Sequence, residues 1–261
     1  MQEHHQRLLD RLILELKNDQ DVLAVIVGGS IAKGREKTDS DLDVMLVITD
    51  AEFERRLAEN RLLYYNPELA DYPGGYVDGK YINYQFLLDA ADHGSEPAGS
   101  AFTGAFAAFS GIPDLDELIA RIRVYPEEER EEKICAFYSQ ASVMTWLMRE
   151  AKRREDSYLL TTAAADLVLY SSRLILAYNR ILYPYKKWLM TEVAQAPEKP
   201  EGFLELAQRL LQERTCEAGD ALWKSINEFR DWGIPLGTTF MRFMLDIEWG
   251  WRSGHLGLPE S

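Results

Sequence analysis

Two short stretches near the N-terminus carry side chains suited to phosphate and metal chemistry: Val27-Gly28-Gly29-Ser30-Ile31-Ala32-Lys33-Gly34 and Ser40-Asp41-Leu42-Asp43-Val44. Glycines at the end of a strand let backbone N–H groups approach phosphate oxygens with no side chain in the way. Ser30 adds a hydroxyl donor where a helix begins. Asp41 and Asp43 lie two apart at the start of a strand, and a period of two puts both carboxylates on one face, close enough to share a hard cation. That cation can bridge to a triphosphate, so the glycine turn and the Asp pair become one site. The turn is not a Walker A loop, because neither Lys-Ser nor Lys-Thr follows Gly34. Taken singly, a Gly-Gly turn is a turn and Asp-x-Asp is a solvated strand edge. Their joint order points to nucleotide chemistry.

The elements that must position these groups follow from periodicity. Leu8, Leu9, Leu12, Ile13, Leu14 and Leu16 have helical spacing, so an amphipathic helix opens the chain. His4 and His5, at its start, are expected in solvent. Residues 22–27 form a β-branched apolar run ended by Gly28-Gly29, which predicts a buried strand and a tight turn. A short helix to about Gly34, a second strand over 42–48 and a charged helix over 51–60 come next. Gly74-Gly75 and Asp78-Gly79 bracket an expected hairpin, after which 80–88 has the pattern of a third strand. A fourth strand is expected over 104–110 and a helix over 114–123. Beyond Tyr125-Pro126 the texture turns helical, with periods over 134–154, 159–182, 203–212, 218–232 and 240–251. The expected class is α+β: a domain of mixed sheet and helices over 1–125, then an all-α helical bundle over 126–261.

Composition narrows the function. The 261 residues are 46% hydrophobic, enough for a substantial core. A formal net charge of −14, with basic residues scattered, lacks the basic stripe of a nucleic-acid binder. Acidity is also an ordinary route to solubility; as a field it favours a cationic partner over an anionic one. No uninterrupted apolar stretch approaches the roughly 20 residues of a membrane span, and charges run through residues 1–20, unlike a secretory leader. Cys135 and Cys216 have no metal-type spacing and form no disulfide framework. The expected compartment is the cytoplasm. His93 and His255 are isolated, with no nucleophile beside them in sequence.

The Gly29-Ser30 turn followed by Asp41-Leu42-Asp43 resembles the DNA polymerase beta-like nucleotidyltransferases, and Ser40 stands where that superfamily commonly has Ser before the first Asp. The pairing with a helical second half is similar to bacterial aminoglycoside-type nucleotidyltransferases. The resemblance implies that Gly28, Gly29, Ser30 and Ser40 line the nucleotide site, with Lys33 assisting where relatives often have Arg. It implies that Asp41 and Asp43 bind Mg2+ or another divalent cation and serve catalysis. The segment Tyr183-Pro184-Tyr185-Lys186-Lys187-Trp188 is similar to one in the helical domains of such proteins. There Tyr185 can stack on a base or sugar and Lys187 can pair with phosphate, or the segment is an aromatic helix junction organised by Pro184.

Family members place a third carboxylate on the strand after the hairpin, where it binds metal or takes the acceptor's proton. In Tyr81-Ile82-Asn83-Tyr84 the matching position reads as Asn83, and an amide cannot serve as a base at pH 7. Three readings stay open: another acid (Asp78, Asp89, Asp246 or Glu248) supplies the group, the chain binds nucleotide without efficient transfer, or the register differs. The expected function is transfer of a nucleoside monophosphate from a triphosphate such as ATP to a hydroxyl of a small acceptor, releasing pyrophosphate, with the acceptor between the domains. The alternatives are a catalytically degraded nucleotide-binding protein of the same fold, or a transferase acting on a protein or RNA end.

Overall fold

The computed structural model describes residues 1–253, so His255 lies outside the described residues. The chain divides into two compact units, Met1–Val124 and Tyr125–Ser261.

The first unit runs α1 (Glu3–Leu16), β1 (Val22–Val27), α2 (Gly29–Ala32), β2 (Leu42–Ile48), α3 (Asp50–Ala58), β3 (Leu63–Asn66), β4 (Val77–Asn83), α4 (Tyr84–His93), α5 (Glu96–Ala101), β5 (Phe106–Ser110) and α6 (Leu115–Ile122). Its sheet is mixed, in the order β3-β4-β2-β1-β5. β2 is antiparallel to β1 and parallel to β4, and β3 and β5 pair antiparallel at the two edges. The central strands are apolar on both faces because both are covered. Leu42, Val44, Leu46 and Ile48 pack with Leu8, Leu9, Leu12 and Leu16 of α1. Met45, Val47 and Ile82 pack with Leu87 of α4 and with Leu115, Leu118 and Ile122 of α6. By strand alternation Asp43 shares the face of Met45 and Val47, and Asp78 shares that of Ile82.

Several sequence expectations shift here. The third strand begins at Val77 rather than Lys80 and stops at Asn83, where the chain turns into α4. Asn83 causes the change. Its side-chain oxygen accepts from Phe86 N at 2.9 Å, which is an N-cap, and Leu87 is then buried at helical spacing. Asp78-Gly79 is not a turn but the interior of β4, where a side chain on Gly79 would run into the Val44 carbonyl. β3 and α5 have no counterpart in the sequence reading. His5 is fully buried rather than solvated, because it falls on the Leu8, Leu9, Leu12 face of α1.

The second unit is helical: α7 (Arg130–Arg154), α8 (Ser157–Tyr178), α9 (Leu189–Gln195), α10 (Phe203–Glu213), α11 (Cys216–Phe229) and α12 (Leu236–Phe243), then a π-helical turn over Met244–Glu248 and a 3-10 turn over Gly250–Ser253. A two-residue link joins α7 to α8, with Glu155 left-handed and Asp156 capping α8 by accepting from Leu159 N at 2.9 Å. The core is built from Phe137, Met144 and Met148 of α7, Leu167, Leu174 and Ile175 of α8, and Leu210, Leu222 and Ile226. α8 alone is long and apolar enough to cross a bilayer, among the described residues, but 67% of its apolar window is buried in this core.

Candidate functional site

β1 delivers the chain to a turn in which the two glycines have different duties. Gly28 is extended, and its N–H donates to the Asp43 carbonyl at 2.9 Å. A side chain there would meet only ordinary contacts, the nearest being the Ala101 carbonyl oxygen at 3.5 Å. Gly29 has φ +62°, and a Cβ on it would fall inside the Asp43 carboxylate. Glycine is therefore required at position 29 both by backbone conformation and by the closeness of Asp43. α2 starts here, and the first amides of a helix have no intrahelical acceptor. Ser30 Oγ is buried without a hydrogen-bond partner in the structure. Lys33 is half-buried at the end of α2.

The turn leading into β2 holds Asp41. Ser40 Oγ accepts from Lys37 N at 2.8 Å, and the Ser40 carbonyl accepts from the Tyr72 hydroxyl at 2.8 Å. Ser40 thus shapes the approach to Asp41. Behind it, His5 and Tyr72 meet edge to face with ring centroids 5.4 Å apart, and His4 Nε2 donates to the Thr38 carbonyl at 2.9 Å. Burial, and secondarily the neighbouring His4, holds the His5 pKa below its ordinary value.

The parallel register of β2 and β4 completes the site. Asp78 pairs with Asp43, while Asn83 pairs with Ile48, five residues further along. At about 3.3 Å per residue those positions are roughly 17 Å apart. Asn83 does not face the aspartates: besides capping α4, it donates to Asp50 Oδ1 at 2.9 Å. One carboxylate oxygen from each of Asp41, Asp43 and Asp78 lies within 4.8 Å of the others, with Asp41 and Asp43 half-buried and Asp78 exposed. Neighbouring groups register the concentrated negative charge. The Tyr76 hydroxyl is pushed up to about 12, first by its hydrogen bond to Asp41 and by that charge, then by burial, Asp78 and Asp43. Lys80, two residues beyond Asp78 on the same strand face, interacts electrostatically with Asp43.

Three carboxylates in such proximity repel one another unless a cation sits among them, and an all-oxygen set suits a hard divalent ion. The orphaned Ser30 hydroxyl and the closeness of Gly29 to Asp43 fit a phosphate-bearing ligand beside that ion. Sequence reasoning named Gly29, Ser30, Asp41 and Asp43, which the structure brings together. It assigned the third position to Asn83 and kept Asp78 only as one of several acids. Tyr72, Tyr76 and Lys80 were missed, having no local motif to mark them. Tyr185 and Lys187 belong to the second unit, where both are exposed. Tyr185 has φ +65°, Lys186 Nζ lies 5.6 Å from the centre of its ring, and Lys187 Nζ lies 5.7 Å from the Trp188 ring.

Residues 9–85, which include Gly29, Ser30 and all three aspartates, match the family model described as a nucleotidyltransferase domain. Residues 104–189 match a model described as a domain of unknown function, DUF4037. No curated protein matches the chain. Among solved structures it is similar to a nucleotidyltransferase-like protein from Exiguobacterium sibiricum 255-15, at 11% identity and a TM-score of 0.47, over 92% of this chain and 77% of that one. The chain carries a nucleotidyltransferase domain of the polymerase beta-like superfamily at its N-terminus, followed by a DUF4037 region.

Proposed function

We propose that the chain is a metal-dependent nucleotidyltransferase that moves a nucleoside monophosphate from a triphosphate, ATP being the expected donor, to a hydroxyl of a small acceptor. The observation that carries this reading is the set of three aspartates from β2 and β4 gathered beside the Gly29-Ser30 turn. Asp41, Asp43 and Asp78 would hold Mg2+, which neutralises charge on the phosphates when bound. Ser30 donates its hydroxyl to a phosphate oxygen, and Lys33 adds positive charge near the same group. Ser40 and Tyr72 hold Asp41 in place. The acceptor oxygen attacks the α-phosphorus, the bond to the β-phosphate bridging oxygen breaks, and pyrophosphate leaves. Asp78, the exposed carboxylate, is the one an incoming hydroxyl can reach, and it takes the proton.

A polycationic acceptor of the aminoglycoside kind suits the acidic charge and is part of the proposal, whereas a nucleic-acid end is disfavoured by it. The two free cysteines fit the reducing cytoplasm. The reading as a degraded nucleotide binder rested on Asn83 opposite the aspartate pair, and with Asp78 there it loses the observation that motivated it.

Calorimetry with ATP and GTP, with magnesium and after chelation, tests the shared site. Binding should require the ion and should vanish in an Asp41→Asn, Asp43→Asn double variant that keeps the wild-type circular dichroism. Equal affinity after chelation would sink the proposal.

A further inference from the structure

β3 is the edge strand beside β4, and its two tyrosines face opposite ways. Tyr64 turns to the face covered by α1, where its ring meets Tyr81 edge to face at 5.9 Å. Tyr65 lies on the other face and is 64% exposed. Its partner in the antiparallel ladder is Asp78. Side chains directly opposite in such a ladder share a face, with Cβ atoms about 4.5–5.5 Å apart. The Tyr65 ring also stands 5.4 Å from the ring of Tyr76, at 47° to it. Tyr76 in turn meets Asp41 through its hydroxyl. The two rings make an angled aromatic wall, one end beside Asp78 and the other beside Asp41. Neither ring is packed into the apolar core on either face of the sheet.

The sheet order sets the direction from which an acceptor comes. The Gly29-Ser30 turn follows β1, on one flank of the aspartates, and β3 lies on the other. With the phosphates held at the turn, the departing pyrophosphate points toward β1. Attacking and leaving oxygens lie roughly in line through the phosphorus, so the hydroxyl arrives from the side of β4 and β3. There it finds Asp78 for its proton and the tyrosine wall for the body that carries it. The wall has the chemistry to hold an organic cation. A tyrosine face attracts an ammonium group through the ring quadrupole, and the exposed Asp78 carboxylate adds charge of the right sign. Lys80, exposed on the same face, stands opposite Leu63, two residues further along the ladder, and acts on Asp43.

We propose that Tyr65 and Tyr76 form the acceptor subsite, which takes a ring compound carrying a protonated amine near the hydroxyl to be modified. The subsite rests on the transfer reaction proposed above. Calorimetry tests it on the full chain loaded with magnesium and AMPCPP, a donor whose α,β bond does not break. Kanamycin serves as the amine-bearing probe and maltose as the neutral one. Kanamycin should bind, and maltose should bind clearly more weakly. Tyr65→Ala should weaken kanamycin by roughly tenfold and leave the affinity for magnesium–AMPCPP unchanged. Tyr65→Phe, which keeps the ring, should retain kanamycin. With ATP as donor, Tyr65→Ala should raise the KM for kanamycin and leave kcat nearly as it was. If the alanine variant does not fold, Tyr65→Thr, a residue at home in an edge strand, reads the same loss. Kanamycin that fails to bind the loaded protein, or binds a folded Tyr65 variant without its ring equally well, overturns the subsite and leaves the donor site standing. Maltose that binds as tightly as kanamycin overturns the choice of an amine. A wild type that does not bind magnesium–AMPCPP removes the transfer reading itself, and the subsite with it.

Discussion

The two ends of β4 carry polar residues of similar size with opposite consequences. Asp78, at the start, stands beside Asp43 and joins two other carboxylates. Asn83, at the end, turns inward to its own helix, capping α4 and bonding Asp50. Neither fate follows from the residue type alone. What separates them is the neighbour supplied by β2, an aspartate at one end and Ile48 at the other. A strand end that faces another strand's acids gathers a candidate cation site, and one that faces the helix it leads into becomes a structural joint.

The largest effect that can break this contrast is on rate. With a competent acceptor, Asp78→Asn should lower magnesium-dependent pyrophosphate release by about 10²–10⁴-fold, the usual loss of a placed acid–base group. Asn83→Ala should leave the rate within a few-fold but cost about 1 kcal/mol in urea denaturation, as N-cap losses do. If the two variants exchange these signatures, the register argument is wrong.

The next effect concerns the glycine turn that faces the Asp78 end. Gly29→Ala should lose magnesium–ATP binding and lower the melting temperature. Left-handed backbone costs a side-chain-bearing residue roughly 1–2 kcal/mol, and the added methyl displaces the Asp43 carboxylate. Gly28→Ala should bind nearly as wild type, since its surroundings leave room. Calorimetry and melting of both variants side by side decide this; equal losses would mean that the two glycines do the same work.

The smallest effect is a pH dependence at the support behind Asp41. The native pKa of His5 is lowered, so the folded chain binds fewer protons there than the unfolded chain. Acidification through the unfolded value, near 6.5, therefore favours unfolding, and this contribution is flat at higher pH. The melting temperature should fall between about pH 6.5 and 5, before most carboxylates titrate, and His5→Leu should flatten that slope. Parallel slopes for wild type and variant would show that His5 is not the group responsible.

Much of this was legible locally. The Gly29-Ser30 turn and the Asp41-Leu42-Asp43 pair lie within one strand–turn–strand segment, so their spacing alone put them on a common site. The helical period after Tyr125 announced an all-α second half, because amphipathic spacing survives without knowledge of partners. The start of β4 was not legible. Asp78-Gly79 has the composition of a turn, and only the Val44 backbone pressing against position 79 explains a glycine inside a strand. His5 was misplaced because a histidine at a helix start is usually wet, and its burial depends on which face of α1 the sheet covers.

The sequence by itself placed the first two aspartates beside the glycine turn, since residues close along the chain keep their relation in any fold with those elements. Only the tertiary structure decided the third carboxylate. Asp43 and Asp78 are 35 positions apart in the sequence, with α3 and β3 between them. Their meeting depends on the parallel register of β2 against β4, and a slip of one residue would have turned Asp78 to the opposite face.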